Sequence, residues 1–208
     1  RLITLAPSSV QEMADFVGLG FDLAFKYNNP AMILADGIIG QMMEKVVLPP
    51  FTPRRTDDEI RKECPWATLG KVGGRKRNVI TSLELDAAVM EENNLRFQAK
   101  YKKIEENEVR FQEIMCDDAE YLLVAFGSSA RICQKVVELA REQGINLGLL
   151  RPITLWPFPT NILKEYAEKV KGMLVVELNA GQMVEDVRLA VNGKVKVEHF
   201  GRLGGIVF

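Results

Sequence analysis

The sequence predicts an α/β protein built around a parallel sheet, and three observations lead to that expectation. Over residues 119–208, short apolar runs alternate with amphipathic stretches, as strands and helices do when they follow one another. Residues 1–48 hold a single copy of the same alternation. Between them, residues 49–118 carry 13 of the 27 basic and 14 of the 28 acidic residues, the composition of a solvated connector. The expected organisation is therefore 1–48, 49–118 and 119–208.

The elements follow in order. LITL (2–5) is a short apolar run ending at Pro7, and Ser9 with Glu12 has the spacing of a capping box. The helix it opens repeats Met13, Phe16, Val17, Leu19, Gly20, Leu23, Ala24 and Tyr27 at threes and fours, with Gly18 and Gly20 read as close-packing positions. NNP (28–30) stops that helix, and AMILAD (31–36) reads as a buried strand. One βαβ unit cannot cover both faces of its own sheet, so a larger α/β domain is expected around it. The Arg1 start and the apolar GGIVF end are read as cuts through a longer protein.

LPPFTPRR and GGRKR (73–77) have turn chemistry, and the spaced apolar residues from Leu85 to Met115 predict one long, mostly solvated helix. Strands are then expected at 121–127, 147–152, 173–178 and 195–200, with helices at 129–143, 160–170 and 185–191. LLRPITLWPFPT (149–160) has three prolines, which predict a stiff extended segment over the surface beyond the second of these strands. Arg151, Trp156 and Phe158 on it are candidate interface residues; a crossover loop covering the local core is the equal alternative.

Composition narrows the function. A net charge of −1 gives no reason to expect nucleic acid, and no apolar run reaches membrane-spanning length. Cys64, Cys116 and Cys133 form no CxxC pair, which argues against a disulfide framework and a zinc or iron–sulfur site and fits a reducing cytoplasm. Phe126-Gly127-Ser128-Ser129 is strand, glycine, helix start, so its amides read as a helix cap rather than a phosphate cradle, the GxGxxG spacing being absent. His199 is the only histidine and has no nucleophile elbow nearby in sequence. Glu177 and Asn179 end a strand, as polar contacts or as a cap to the next helix. The residues alone describe a binding or assembly protein without a complete active site.

PSSVQEMADF, PAMILADGIIGQMMEKV, LPPFTPRRTDDEI, CPWATLGK, RNVITSLELDAAVMEENNLRFQAKYKKIEENEVRF and VAFGSSARICQKV followed by LRPITLWPFP carry a resemblance. Together they resemble the alpha subunit of 2-oxoacid:ferredoxin oxidoreductases, the 2-ketoisovalerate type most of all. The resemblance covers essentially all 208 residues. It implies the tail of a thiamine-enzyme pyrimidine domain over 1–48, a connector, and a transketolase C-terminal-like domain over 119–208. The implied reaction is oxidative decarboxylation of a branched-chain 2-oxoacid to its acyl-CoA, with electrons passed to ferredoxin. A 2-oxoglutarate- or pyruvate-specific member, and a non-catalytic docking module of the same fold, are the alternatives.

The resemblance also implies where the chemistry resides. The glutamate that activates the aminopyrimidine belongs upstream of Arg1, the diphosphate and magnesium motif on the beta subunit, and the iron–sulfur clusters on other subunits or domains. No catalytic, cofactor-binding or metal-binding residue is therefore expected on this chain, which should be inactive alone and serve assembly. Thiamine diphosphate, magnesium and iron–sulfur clusters are expected in the whole complex. The implied partners are beta, gamma and delta subunits, with ferredoxin and coenzyme A reached through the complex. In this setting Trp156 and Phe158 face a neighbouring domain or subunit, with Arg151 as an ion-pair partner.

Overall fold

The computed structural model describes residues 1–68, 70, 74 and 76–205. The chain forms two compact units, Arg1–Val47 with Lys103–Phe208, and Leu48–Lys102.

The first unit opens with β1 (Ile3–Leu5), whose three residues are buried, and α1 (Val10–Tyr27). The Ser9 hydroxyl accepts from the Glu12 amide at 3.2 Å. The return arm differs from the expected box: the Glu12 carboxylate takes the amide of Ser8, at 2.7 Å. Asn28 ends α1 in the left-handed conformation, its amide bonding back to Ala24 and Phe25. β2 (Ala31–Ile33) pairs parallel with β1, so the βαβ unit forms as the alternation predicts. β2 is however not buried, and Met32 is 39% exposed. Asp36 then caps the short α2 (Gly37–Gln41).

The second unit contains α3 (Asp57–Glu63) and most of α4 (Ala87–Asn107). α3 lies between the two segments expected to be turns, and Thr56 and Glu59 make a complete capping box there, a T-x-x-E signature legible in the sequence. Thr56 N donates to Glu59 Oε2 at 2.7 Å and Glu59 N to Thr56 Oγ1 at 3.3 Å.

The long helix expected to reach Met115 stops at Asn107, and residues Phe111–Ile114 form β3 instead. β3 lies antiparallel to a strand more than thirty residues on, a non-local partner that outweighs the helical spacing. There follow β4 (Tyr121–Val124), α5 (Gly127–Glu142), β5 (Leu147–Pro152) and β6 (Thr154–Trp156). The chain continues through α6 (Thr160–Ala167), β7 (Gly172–Glu177), α7 (Met183–Val191) and β8 (Val197–Gly201).

Two sheets result, ordered β2-β1-β6 and β3-β5-β4-β7-β8. In the larger one β5, β4, β7 and β8 run parallel, and β3 is the antiparallel edge. Side chains alternate across its pleat. Leu122, Val124, Leu150 and Val175 pack with Leu163, Tyr166, Val184 and Val187 of α6 and α7 on one face. Leu123, Ala125, Leu149 and Val176 pack with Ala130, Cys133 and Val137 of α5 on the other. The sheet is thus a middle layer between helices, and its strands read as continuous apolar runs because both faces are covered.

Candidate functional site

From β4 the chain runs to β5 on one side and then to β7 on the other, so the strand order reverses at β4. In open α/β sheets the crevice beyond the carboxyl ends of such strands is the usual ligand site. Here it is flanked by the start of α5 and the start of α7, two helix N-termini whose free amides attract anions.

Both are taken by carboxylates of the chain itself. At α5, Asp36 Oδ2 accepts from the Ser128 amide at 3.0 Å. Its Oδ1 accepts from the amides of Ile38 and Ile39, each at 3.0 Å. One side chain therefore caps two helices. Gly127 has φ +59°, and a Cβ there would lie 3.2 Å from Asp36 Oδ2, so glycine meets both a backbone and a space requirement. Partial burial opposes ionisation of Asp36, but the bonds from Ser128, Ile39 and Ile38 outweigh it and hold the carboxyl below its ordinary range.

At α7 the anion is Glu177, at the end of β7 and 1% exposed. It accepts from the amides of Gln182, Met183 and Val184 at 3.3, 2.9 and 3.0 Å, and from Asn179 Nδ2 at 3.0 Å. Asn179 Oδ1 in turn holds the Gly181 amide at 2.7 Å. Of the two readings open for Glu177 and Asn179, the structure adopts the helix cap. His199 Nε2 stands 3.7 Å from Glu177 Oε1, beside Gly181 and Gly201.

The second feature is the junction between the first βαβ unit and the larger sheet. LLRPITLWPFPT does not run over the surface: Arg151, Thr154, Pro157 and Pro159 are buried, and TLW becomes β6, paired antiparallel with β1. Proline is accommodated because Pro152 ends β5 and Pro157 follows β6. Arg151, 4% exposed, spans the junction. Its guanidinium donates to Gln112 Oε1 at 2.9 Å, to the Glu12 carboxylate and to the Ala6 carbonyl at 3.4 Å. Trp156 pairs with Thr4 across the two strands, with the Arg1 guanidinium 5.8 Å from its ring, and Phe158 packs on the cluster under α6 and α7.

Further contacts at the junction carry no local sequence signal. Glu108, 2% exposed, accepts from Lys26 Nζ and Tyr27 Oη, each at 2.6 Å, and from Arg110 Nη2 at 3.0 Å. Burial disfavours its charge, yet these donors hold its carboxyl below the ordinary range. Glu44 pairs with Arg131 of α5.

The remaining candidates are placed as follows. A Cβ at Gly18 or Gly20 would meet nothing within 4 Å, so the close-packing expectation is corrected. Cys64, Cys116 and Cys133 are free and buried, and burial pushes the Cys133 thiol up to about 12. Among the described residues no group of His, Cys, Asp and Glu could hold a metal ion, and no helix is long and apolar enough to cross a membrane. Leu69 and Lys71 of CPWATLGK, and Gly73 and Arg75 of GGRKR, lie outside the described residues.

Residues 1–115 match the family described as pyruvate flavodoxin/ferredoxin oxidoreductase, thiamine diphosphate-binding. The chain belongs to that family. Residues 119–208 match pyruvate:ferredoxin oxidoreductase core domain II. The chain is 46% identical over 205 residues to ketoisovalerate oxidoreductase subunit VorB of Methanothermobacter thermautotrophicus, covering 99% of this chain and 56% of that protein. It is 31% identical over 231 residues to 2-oxoglutarate synthase subunit KorA of Methanothermobacter marburgensis, covering 99% of this chain and 60% of that one. The chain thus spans somewhat more than half the length of these relatives. In fold it is similar to a 2-oxoglutarate:ferredoxin oxidoreductase from Magnetococcus marinus, with a TM-score of 0.79 and 19% identity over 100% of this chain and 40% of that one. The alpha-subunit expectation is corrected, because the ketoisovalerate relative is named subunit VorB.

Proposed function

We propose that this chain is part of a thiamine-dependent 2-oxoacid:ferredoxin oxidoreductase and serves its assembly rather than its chemistry. The reaction is the oxidative decarboxylation of a branched-chain 2-oxoacid to its acyl-CoA, with ferredoxin as electron acceptor. Family membership and the 46% identity to a ketoisovalerate oxidoreductase subunit support the reaction and its substrate class.

The observation that carries the assembly role is the state of the crevice. A diphosphate needs amides or cations to neutralise it, and here the amides at both helix starts already hold Asp36 and Glu177. Arg131 and Arg151 are likewise engaged with Glu44 and Glu12. These residues do not fit a diphosphate, and they contribute no step through thiamine. Arg151 and Trp156 serve assembly by fixing the thiamine-domain segment onto core domain II, through Glu12 and Thr4, and Phe158 anchors the same loop on the cluster under α6 and α7. The other subunits, bound cofactors, ferredoxin and coenzyme A belong to the whole complex.

Two measurements test this reading. Calorimetry of the isolated chain with thiamine diphosphate and magnesium should show no specific binding, and micromolar affinity would overturn the assembly role. A 2-oxoacid panel on the reconstituted complex should favour 3-methyl-2-oxobutanoate over 2-oxoglutarate and pyruvate; the reverse preference would overturn the substrate class.

A further inference from the structure

Several lysine amines of this chain are held by carboxylates, among them Lys26 by Glu108, Lys135 by Glu138 and Lys171 by Glu120. A carboxylate beside an ammonium keeps it charged, and a charged amine is not a nucleophile. The setting of Lys100 on α4 is of another kind. Its Nζ stands 5.4 Å from the centroid of the Phe97 ring and 5.8 Å from that of Tyr101. The Arg96 guanidinium lies over the same Phe97 ring, at 5.5 Å. Helical spacing dictates the arrangement: Arg96 and Lys100 are four residues apart, as are Phe97 and Tyr101, so a row of cations and a row of rings run side by side.

Two opposing influences act on the Lys100 amine. The rings attract an ammonium, but they also displace water from it, and a second cation shares one of them. Burial first and the Arg96 charge second draw the amine below the ordinary lysine range. Desolvation and a neighbouring cation are the two features that turn a lysine into a nucleophile. Only the unprotonated amine attacks, and about 0.4% of an ordinary lysine is unprotonated near pH 8. Lys100 stays within reach of a reagent, being half-buried beside Phe97, which is 41% exposed.

The electrophile must react with an amine without a further reactant and must suit both rows. An acyl-CoA does so: its thioester is activated, its acyl group is apolar like the rings, and its phosphates suit the exposed Arg96. The reaction proposed above yields one, and the inference rests on that reading for the supply alone. We propose that Lys100 is an acylation site for a branched-chain acyl-CoA. Lys100 Nζ attacks the thioester carbonyl, and the C–N bond of an amide forms as the C–S bond breaks. The thiolate leaves with the electron pair of that bond and takes up the proton that the nitrogen sheds, so neither oxidant nor reductant is needed. The amide removes the charge of Lys100 and its attraction to both rings, leaving Arg96 as a cation on Phe97.

The test adds 2-methylpropanoyl-CoA at about pH 8 to the 208-residue chain and, separately, to the reconstituted complex, and follows each lysine by peptide mass spectrometry. In both, the adduct should accumulate at Lys100 at least fivefold faster than at the exposed Lys102 and Lys164. The lead should narrow at about pH 10, where ordinary lysines also lose their proton. Arg96→Gln should slow Lys100 at least threefold and leave Lys164 unchanged. A thioester without phosphates, that of 2-methylpropanoate with N-acetylcysteamine, should still prefer Lys100. Equal rates at Lys100 and Lys102, a lead indifferent to pH, or a lead indifferent to Arg96→Gln would each overturn the proposal. Because the acyl-CoA is added, a complex that makes none from 3-methyl-2-oxobutanoate counts against the reaction proposed above and not against Lys100.

Discussion

The starts of α5 and α7 solve the same electrostatic problem from opposite distances. α7 is capped by Glu177, only a few residues earlier in the chain, at the end of the strand that leads into the helix. α5 is capped by Asp36, 92 residues before its partner Ser128 and on a different sheet layer. The first arrangement belongs to the core domain and forms whenever that domain folds. The second exists only when the thiamine-domain segment is docked. An anion site has thus been used as a fastener in one case and as a cap in the other.

Mutations can break this contrast. Glu177→Ala should be the most damaging, since it leaves three amides and Asn179 without their acceptor in a fully buried place. We expect a loss of about 3 kcal/mol in urea unfolding, spread over the whole of residues 119–208. A loss below about 1 kcal/mol would mean that water replaces the carboxylate.

Gly127→Ala should cost about 1–2 kcal/mol, because alanine at φ +59° is strained and its Cβ crowds Asp36. Asp36→Ala should cost about 1 kcal/mol through the lost cap. Hydrogen exchange should rise at α2 and the first turn of α5 and stay unchanged in α7. Equal loosening at both helices would erase the distinction between fastener and cap. The double variant should fall short of the sum of the two single losses, since both act at one contact.

Acid should produce the smallest and most local effect. Asp36 and Glu108 are held below the ordinary carboxylate range in the folded chain. Their contribution is complete above about pH 5 and is lost as the pH falls through about 4 and below. Exchange at α1, α2 and the end of α4 should therefore increase in mild acid before the core strands respond. Simultaneous loss would place the acid-sensitive groups in the core domain instead.

The sequence was most legible where structure is local and doubly covered. The strands at 147–152 and 173–178 are found within a residue or two of the expected positions, because apolar runs between helices have few other uses. The Glu177 cap was visible as an alternative for the same reason: strand, carboxylate and helix are neighbours in sequence. β3 and β6 were missed because each depends on a partner far along the chain, and Phe111–Ile114 by itself continues a helical pattern. Asp36 reads plainly as a cap for GIIGQ, but nothing near it announces Ser128. The charge on Arg151 suggested an interface and its partners Glu12 and Ala6 could not be named, since ion pairs leave no periodicity behind.

β1 has a consequence for the order of events during synthesis. Its pairing joins Thr4 to Trp156, so the strand leaves the ribosome long before β6 exists. At about 5–20 residues per second, the wait is on the order of 10–30 s. Throughout that interval Ile3 and Leu5, buried in the finished fold, lack β6 as their antiparallel neighbour. Nascent chains of this protein should therefore engage apolar-binding chaperones through the β1–α1–β2 segment and release them when Trp156 emerges.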